Sequence, residues 1–505
     1  MSSHSSAPAG TAADWAARSR TAVWHPCTQM ARLDAVPPLA IVRGDGPWLY
    51  DADGAAHFDS FSSWWVNLFG HSDAGLRAAI GAQLHTLPHT LLAGCTHAPA
   101  VELAEALSAR TGGALGHVFF ASDGASAIEI ALKMSFHAWR NRGRVAKRGF
   151  VSLRQGYHGE TLGALHVTDV QVFRDAYDPL LLRSQAVMSP DARQAAPGES
   201  AADVAQRALD ALQAVLVREA DAVAAVILEP MVQCAAGMAM HDAAFLRGVR
   251  ALCDAYEVHL IADEIAVGCG RTGPFFAFEH AHAGAQPGLP PIWPDFICLS
   301  KGISGGWVPL SLVLTTDDVH RAFWSPDDIA RGFLHSHSYT GNPLACAAAR
   351  EVLRRFADTP LLADNARRAG WLGAAMAEVA APWVADGRAA HVRQLGQIWA
   401  MDIAPAAAGE RFAERMHLAG RRHGLLIRPI GGTVYLMPPY LLDEALAHEL
   451  AGRVQATVQD VLAATAAARV PGAAAASPPA SDVLAAPRGA ASPDHADRTP
   501  EPPVA

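Results

Sequence analysis

"AVAAVILE" at residues 222–229 and "VHLIADE" at 258–264, with "AAFLRGVRALCDAYE" at 243–257 between them, decide the fold. The outer pieces are apolar along their length, as strands buried on both faces are. The middle piece sets Phe245, Leu246, Val249 and Leu252 at helical spacing. Strand, helix, strand reads as a βαβ unit, so an α/β domain with a mostly parallel sheet is expected. A third strand, "DFICLSK" (295–301), follows a segment containing Pro274, Pro287, Pro290, Pro291 and Pro294. Such a segment makes no regular crossover helix, so the direction of this strand stays open.

All three strands end in charge: Glu229, then Asp263 with Glu264, then Lys301. Ligands of open α/β sheets sit outside the strand ends, so these groups are expected to converge on one pocket. Lys301 raises the sharper question, because burying an ammonium is costly unless something pairs or neutralises it. It can be a Schiff-base lysine, or the residue that matters can be Ser304, within Gly302 to Gly306, as a nucleophile on a G-x-S-x-G elbow. An elbow needs a helix after the serine, and "WVPLSLVLTT" (307–316) has Pro309 and strand-like patterning. Asp402 and His423 follow in a workable order for a triad, so an α/β serine hydrolase is kept as the remote alternative. "GCGRTG" (268–273) matches a dinucleotide fingerprint but leads into "PFFAFEH" and prolines where a helix would have to start.

A Schiff-base lysine that works with pyridoxal phosphate needs partners. A carboxylate must keep the pyridine nitrogen protonated, and Asp263 is the candidate, with Glu264 structural. The phosphate needs backbone N–H groups at a helix N-terminus, which "VFFASDGASAIEIALKMSFHAW" (118–139) offers around Gly124 and Ala125. "QGYHGETLGA" (155–164) presents Tyr157 and His158 as a possible aromatic face for the ring. A substrate carboxylate calls for arginine, and "LLIRPIGGTVYLMPPY" (425–440) places Arg428 between an apolar strand and a proline.

The chain of 505 residues, 51% hydrophobic and 18% charged, is long enough for two or three domains with large cores. Its net charge of -9 argues against nucleic acid and anionic membrane as partners and leaves small molecules. Seven cysteines with no C-x-x-C pair read as reduced thiols. With no signal peptide and no apolar run of spanning length, a cytoplasmic protein is expected. The 23 histidines show no metal-ligand spacing, so no metal is expected. Composition marks residues 1–14 and the alanine- and proline-rich 466–505 as disordered tails.

Taken together these residues resemble the class III, fold type I aminotransferases from about Trp24 to about residue 460. "LIADEIAVGCGRTG" followed by "PDFICLSKGISGG" is similar to that class's cofactor signature, with Asp263 and Lys301 in register. "WHPCTQM", "SSWWVNLFGH", "GYHGET", "EPMVQCAAGM" and "SYTGNPLACAAA" resemble the branch that aminates 8-amino-7-oxononanoate to 7,8-diaminononanoate in biotin synthesis, with S-adenosylmethionine as the expected donor. Another class III activity, on an ω-amino acid, a diamine or lysine, is the alternative.

The resemblance implies a homodimer with active sites at the subunit interface. It also implies a large domain over 70–345 on a mostly parallel seven-stranded sheet flanked by helices, and a smaller α+β domain from 15–69 and 346–465. Lys301 would carry the cofactor, Asp263 the pyridine nitrogen, and Gly124 and Ala125 the phosphate, with His337 and Ser338 reaching the other subunit's phosphate. Tyr157 would serve both catalysis and cofactor binding. Trp64, Tyr157, Ser336 and Arg428 would shape the substrate site beside Lys301, and Tyr435 would line it. The sequence departs from the family pattern at Cys27, where tyrosine is common in the substrate site, at Ala125, at His337-Ser338 and at Glu160. The glycines after Lys301 are expected to make room for the cofactor.

Overall fold

The computed structural model describes residues 10–182, 184–282 and 291–469. Its centre is a seven-stranded sheet. In chain order the strands are β1 (His117–Ala121), β2 (Gly149–Leu153), β3 (Gln185–Val187), β4 (Val223–Leu228), β5 (His259–Asp263), β6 (Phe296–Leu299) and β7 (Ser311–Thr315). In space they run β1-β7-β6-β5-β4-β2-β3. β7 is antiparallel to both of its neighbours and every other pairing is parallel. β6, whose direction the sequence left open, therefore runs parallel to β5.

Every residue of β4, β5, β6 and β7 is buried, which is why these segments are apolar without alternation. Alternate side chains feed different cores. Ala225, Ile227, Ile261, Phe296, Cys298 and Val313 pack with helix α1 (Gly124–Asn141), while Val226, Leu228, Leu260, Ala262, Ile297 and Leu312 face the opposite core. That second core takes in α2 (Ala201–Glu219) and α3 (Ala244–Ala255). The apolar face of α3, with Phe245, Leu246 and Val249 fully buried, contributes about 1.5–3 kcal/mol for each such side chain removed from water.

Register sets the site. Leu228 pairs with Ala262 and Asp263 with Cys298, so Glu229, Asp263 and the residues after Leu299 emerge at one edge of the sheet. The N-terminus of α1 opens near the same edge, since β1 ends beside the start of β7 through the Ala121–Ser311 pair.

Two smaller sheets join the chain ends. Strands Ile41–Asp45, Trp48–Asp51 and Ala56–Asp59 form a meander, and Leu425–Leu426 adds to its edge in parallel with Ala56–Asp59. Ala389–Leu395, Ile398–Ile403 and Thr433–Leu436 form an antiparallel sheet. It shares a separate core with helices Leu361–Ala385, Phe412–Arg422 and Glu444–Ala468, built around Met376, Trp383, Trp399 and Met416.

Two expected tail boundaries shift. A capping box, Thr11 with Asp14, starts a helix over Ala12–Ala22, so residues 12–14 are ordered. The C-terminal helix, carrying Val461, Leu462 and Thr465 into the core, runs on to Ala468. Residues 1–9 and 470–505 of the tails lie outside the described residues. Among the described residues no helix is long and apolar enough to cross a membrane.

Candidate active site

Lys301 follows Ser300 at the end of β6 and opens a short 3₁₀ turn with φ of 45°, an unusual backbone conformation for a lysine. Its half-buried Nζ makes no hydrogen bond among the described residues and lies 5.2 Å from the Trp65 ring centroid. Burial pushes its pKa below the usual lysine value, and the nearby Asp263, Cys234 and Glu229 oppose that shift without cancelling it. The three charged strand ends are thus brought into one field.

Asp263, the last residue of β5, is buried and fixed at both oxygens. Oδ1 accepts the Ile265 N–H at 3.1 Å, and Oδ2 lies 2.7 Å from Nδ1 of His158. With Nδ1 donating to the carboxylate, Nε2 of His158 is left buried without a partner among the described residues. His158, expected as an aromatic face, is thus the orienting partner of Asp263.

Glu229 works on the loops. Its oxygens accept the N–H groups of Tyr157 and Cys234 at 3.1 and 3.0 Å, and burial pushes its carboxyl up to about 7. Glu264 is structural, as expected: it takes the N–H groups of Ala277 and Phe278 at 2.8 and 2.7 Å, and burial pushes it up to about 8.

α1 begins at Gly124 with Asp123 as its cap. The Asp123 side chain accepts the Ser126 N–H at 3.0 Å and the Ser126 hydroxyl at 2.7 Å. Ser126 is therefore spent on the cap. The N–H groups of Gly124 and Ala125 have no partner among the described residues, which suits an anion at the N-terminus of an 18-residue helix. A side chain at Gly124 would press on Ile265, two residues beyond Asp263, at 3.1 Å. This helix end, the free amine of Lys301 and the anchored Asp263 carboxylate fit the phosphate, aldehyde and pyridine nitrogen of pyridoxal phosphate.

At the outer side, the Tyr157 hydroxyl donates to Glu160 Oε1 at 2.9 Å, and its ring meets Phe173 at 5.4 Å. Burial first, then Glu160, raises the phenol's pKa. The Cys27 thiol lies 4.0 Å from the same Glu160 oxygen, and burial first, then Glu160, pushes it up. The exposed Arg428 guanidinium has no ion pair among the described residues and sits 4.8 Å from the Trp64 ring. Tyr435 is buried, its hydroxyl accepting the Trp65 indole N–H at 3.1 Å.

Ser336, His337 and Ser338 are not joined to this group within the chain. Ser336 and Ser338 are exposed on a loop, and none of the three shares a hydrogen bond or ring contact with Lys301, Asp263 or Tyr157. His337 Nε2 is buried without a partner among the described residues.

The hydrolase alternative fails on geometry. Ser304 is buried with its hydroxyl donated to the Val308 carbonyl at 2.6 Å, and strand β7 follows where a helix is required. Asp402 is held by Arg193 and Arg393, and His423 by Asp460. The GCGRTG stretch is likewise a turn, followed by the six-residue 3₁₀ helix Ala277–His282 and no α-helix that starts at its glycines. The glycines after Lys301 also have another reason than the expected one: a Cβ at Gly306 would lie 2.7 Å from the Val66 carbonyl carbon and one at Gly305 2.8 Å from Leu76, so they admit protein. Elsewhere, His117, Asp317 and His320 cluster, but the two imidazoles stack face to face at 3.8 Å, so their in-plane lone pairs do not converge on one ion.

Trp65 and Asp59 escaped sequence reasoning. "SSWW" drew attention to Trp64 alone, yet Ser62, Ser63, Trp64 and Trp65 all have φ between 48° and 73°, a full left-handed turn without glycine. At about 1–2 kcal/mol per residue such a turn survives only where its surroundings impose it. Asp59 is among those surroundings.

The chain matches the family model described as "Aminotransferase class-III" over residues 29–458. It is 38% identical over 436 residues to the adenosylmethionine-8-amino-7-oxononanoate aminotransferase of Helicobacter pylori, covering 86% of this chain and 95% of that one. The crystal structure of the protein so named from Methanocaldococcus jannaschii superposes with a TM-score of 0.78 at 29% identity, over 88% of this chain and 98% of that one. An amine transaminase from an uncultivated Pseudomonas species, solved in its PLP-bound form, gives 0.77 at 29% identity, over 87% and 99%.

Proposed function

The chain belongs to the class III aminotransferases, and from that premise we propose that it holds pyridoxal phosphate and moves an amino group from S-adenosylmethionine to 8-amino-7-oxononanoate, giving 7,8-diaminononanoate for biotin synthesis. The observation that carries the reading is Lys301: an amine with no hydrogen-bond partner among the described residues, depressed in pKa by burial, beside a carboxylate that His158 and a backbone N–H fix in place. The cofactor supplies the carbonyl carbon that carries the amino group between the two substrates and a ring that withdraws electrons from it.

The residues divide the remaining work. Lys301 Nζ, whose charged form burial disfavours, would hold the cofactor and, once freed by the donor, would take a proton from the donor's α-carbon and hand it to the cofactor's carbonyl carbon. The Asp263 carboxylate keeps a proton on the pyridine nitrogen, and His158 keeps that carboxylate aimed. Gly124 and Ala125 N–H groups bind the phosphate. Tyr157, tied to Glu229 through its backbone and to Glu160 through its hydroxyl, closes one side of the ring site. Arg428, supported on Trp64, binds the oxo-acid carboxylate, and Cys27 and Tyr435 line the space between.

A homodimer completes the reading, with Ser336, His337 and Ser338 of one subunit serving the phosphate site of the other. Exposed Trp324, Ile329, Leu334 and Tyr339 flank that loop and supply the apolar surface such an interface buries. The domain division proposed is 70–345 for the large domain and 12–69 with 346–468 for the small one, in the cytoplasm.

The test is a half-reaction. Purified enzyme is mixed separately with S-adenosylmethionine, lysine and β-alanine, and the visible band of the bound cofactor is followed. Bleaching by S-adenosylmethionine is expected. Bleaching by lysine or β-alanine alone assigns another class III activity, and a protein that takes up no cofactor overturns the reading.

A further inference from the structure

Four successive residues, Ser62 to Trp65, hold left-handed backbone angles with no glycine among them, and this turn delivers both tryptophans of the site. Trp65 stands 5.2 Å from Lys301 Nζ and Trp64 4.8 Å from Arg428 Cζ. An L-residue leaves such a conformation unless held there.

The turn is closed by the N–H bonds of Trp65 to the Phe61 carbonyl and of Val66 to the Ser62 carbonyl, and its middle is held from outside by one carboxylate. Asp59, with no exposed surface, accepts the Ser63 N–H at Oδ1 (2.8 Å) and the Ser63 hydroxyl at Oδ2 (2.7 Å). Oδ2 also lies 3.1 Å from Nε2 of His71. The tautomer follows from the other side of that ring, where Asn67 Nδ2 donates to Nδ1 at 3.1 Å, so Nε2 carries the proton and donates to Asp59. Asn67 is itself oriented by the Gly70 N–H on its Oδ1 at 2.7 Å. The Ser62 hydroxyl adds a tie to the Met437 carbonyl at 2.7 Å. Every acceptor site used on Asp59 faces a donor, and two of the three donors belong to the middle of the strained turn.

We propose that Asp59 is a positioning residue of the transamination site, locking the left-handed turn that sets Trp65 against Lys301 and Trp64 beneath Arg428. This rests on the function proposed above, but the geometry it predicts can be read without turnover. An amide at residue 59 turns one acceptor into a donor that faces Ser63 and His71, so the turn relaxes toward ordinary angles and Arg428 loses its support.

The experiment compares Asp59→Asn, Asp59→Asn with Ser63→Gly, and Asp59→Asn with Ser63→Ala, all as full-length holoenzyme. Near-ultraviolet circular dichroism reports the tryptophan pair, with Trp64→Phe as reference, and steady-state kinetics separates KM for the oxo-acid from kcat. Asp59→Asn is expected to change the tryptophan bands and raise KM for the oxo-acid about ten-fold. Glycine at 63 adopts the left-handed angles without strain and is expected to restore the bands and at least half of that loss, while alanine is not. Equal rescue by alanine and glycine, or a loss of folded protein with KM and the bands unchanged, overturns the proposal. If the wild type transfers no amino group, the function fails, and the tryptophan bands still decide the role of Asp59.

Discussion

Two regions meet at Lys301 and are held by different means. The strand ends that carry Glu229, Asp263 and Lys301 inherit their geometry from a ladder of buried parallel strands, so their places are set by register. The turn over residues 62–65 belongs to no ladder; beyond the local N–H bonds of Trp65 to the Phe61 carbonyl and of Val66 and Asn67 to the Ser62 carbonyl, it is held by side-chain bonds to Asp59 and Met437. The first kind of support tolerates loss of any one side chain, because the backbone stays where it is. The second fails with one hydrogen-bonding group. Substitutions at the strand ends should therefore remove chemistry and spare geometry, and substitutions around the turn should do the reverse.

The largest effect tests that division at its strongest point. Lys301→Ala should lower turnover on the order of 10⁵-fold or beyond detection, because both attachment and proton movement use Nζ. The fold should survive, since Nζ makes no hydrogen bond that packing depends on; circular dichroism and an unchanged melting temperature check this. A variant that unfolds would show the strand end to be as fragile as the turn.

Asp263→Asn comes next. The amide still accepts from the Ile265 N–H but carries no charge to hold a proton on the ring nitrogen and offers N–H₂ to His158. Turnover is expected to fall about 10³-fold, about 4 kcal/mol in the barrier, with the folded state intact. Single-turnover rates measure the loss, and a fall of less than ten-fold would remove Asp263 from its role.

How far each region can be read from sequence follows from the same difference. A strand buried on both faces must be apolar throughout, so β4, β5 and β6 announce themselves, and the charge that ends each one marks the edge. The cap of α1 is as plain, because Asp123 and Gly124 are there for local reasons. The direction of β6 was not legible, as only a short 3₁₀ turn, Ala277–His282, stands in the described part of the connection before it. The left-handed turn was illegible outright. Nothing in "FSSWW" favours positive φ, and Ser62 is tied to Met437, 375 residues away. A second reason for the glycines near Lys301 was hidden in the same way: Gly306 lies against the Val66–Asn67 backbone and Gly305 against Leu76, distant in sequence and close in the fold.

A pH effect separates a buried acid that supports the frame from those that act. Glu264 has its carboxyl pushed up to about 8 by burial, against an ordinary value near 4.5. Between those values the folded protein keeps a proton that the unfolded chain has released, so this group's contribution to stability falls as pH rises from about 4.5 to 8 and then levels. At pH 5 wild type holds the proton, and its hydroxyl oxygen can still accept one of the Ala277 and Phe278 N–H groups; Glu264→Gln puts an N–H₂ there, which cannot, at a cost of about 1–3 kcal/mol. The gap to wild type should narrow toward pH 8, where wild type bears the charge. Urea unfolding at the two pH values decides, and a gap that widens would mean the ionised form is the one the fold prefers.

The smallest effect is expected only three residues from Lys301, at a side chain that makes no contact with its amine. The Ser304 hydroxyl donates to the Val308 carbonyl at 2.6 Å and lies in the buried turn that β6 and β7 share. Ser304→Ala removes one internal hydrogen bond and leaves the half-buried Val308 carbonyl short of a donor, worth about 1 kcal/mol of stability. It touches neither Lys301 Nζ nor Asp263, so kcat and KM should stay within about two-fold. Loss of activity beyond that, or covalent labelling of Ser304 by a fluorophosphonate in the native enzyme, would return the serine to the chemistry. An unchanged rate with a modest fall in melting temperature places it with the ladder-held region, where a side chain can go and the geometry remains.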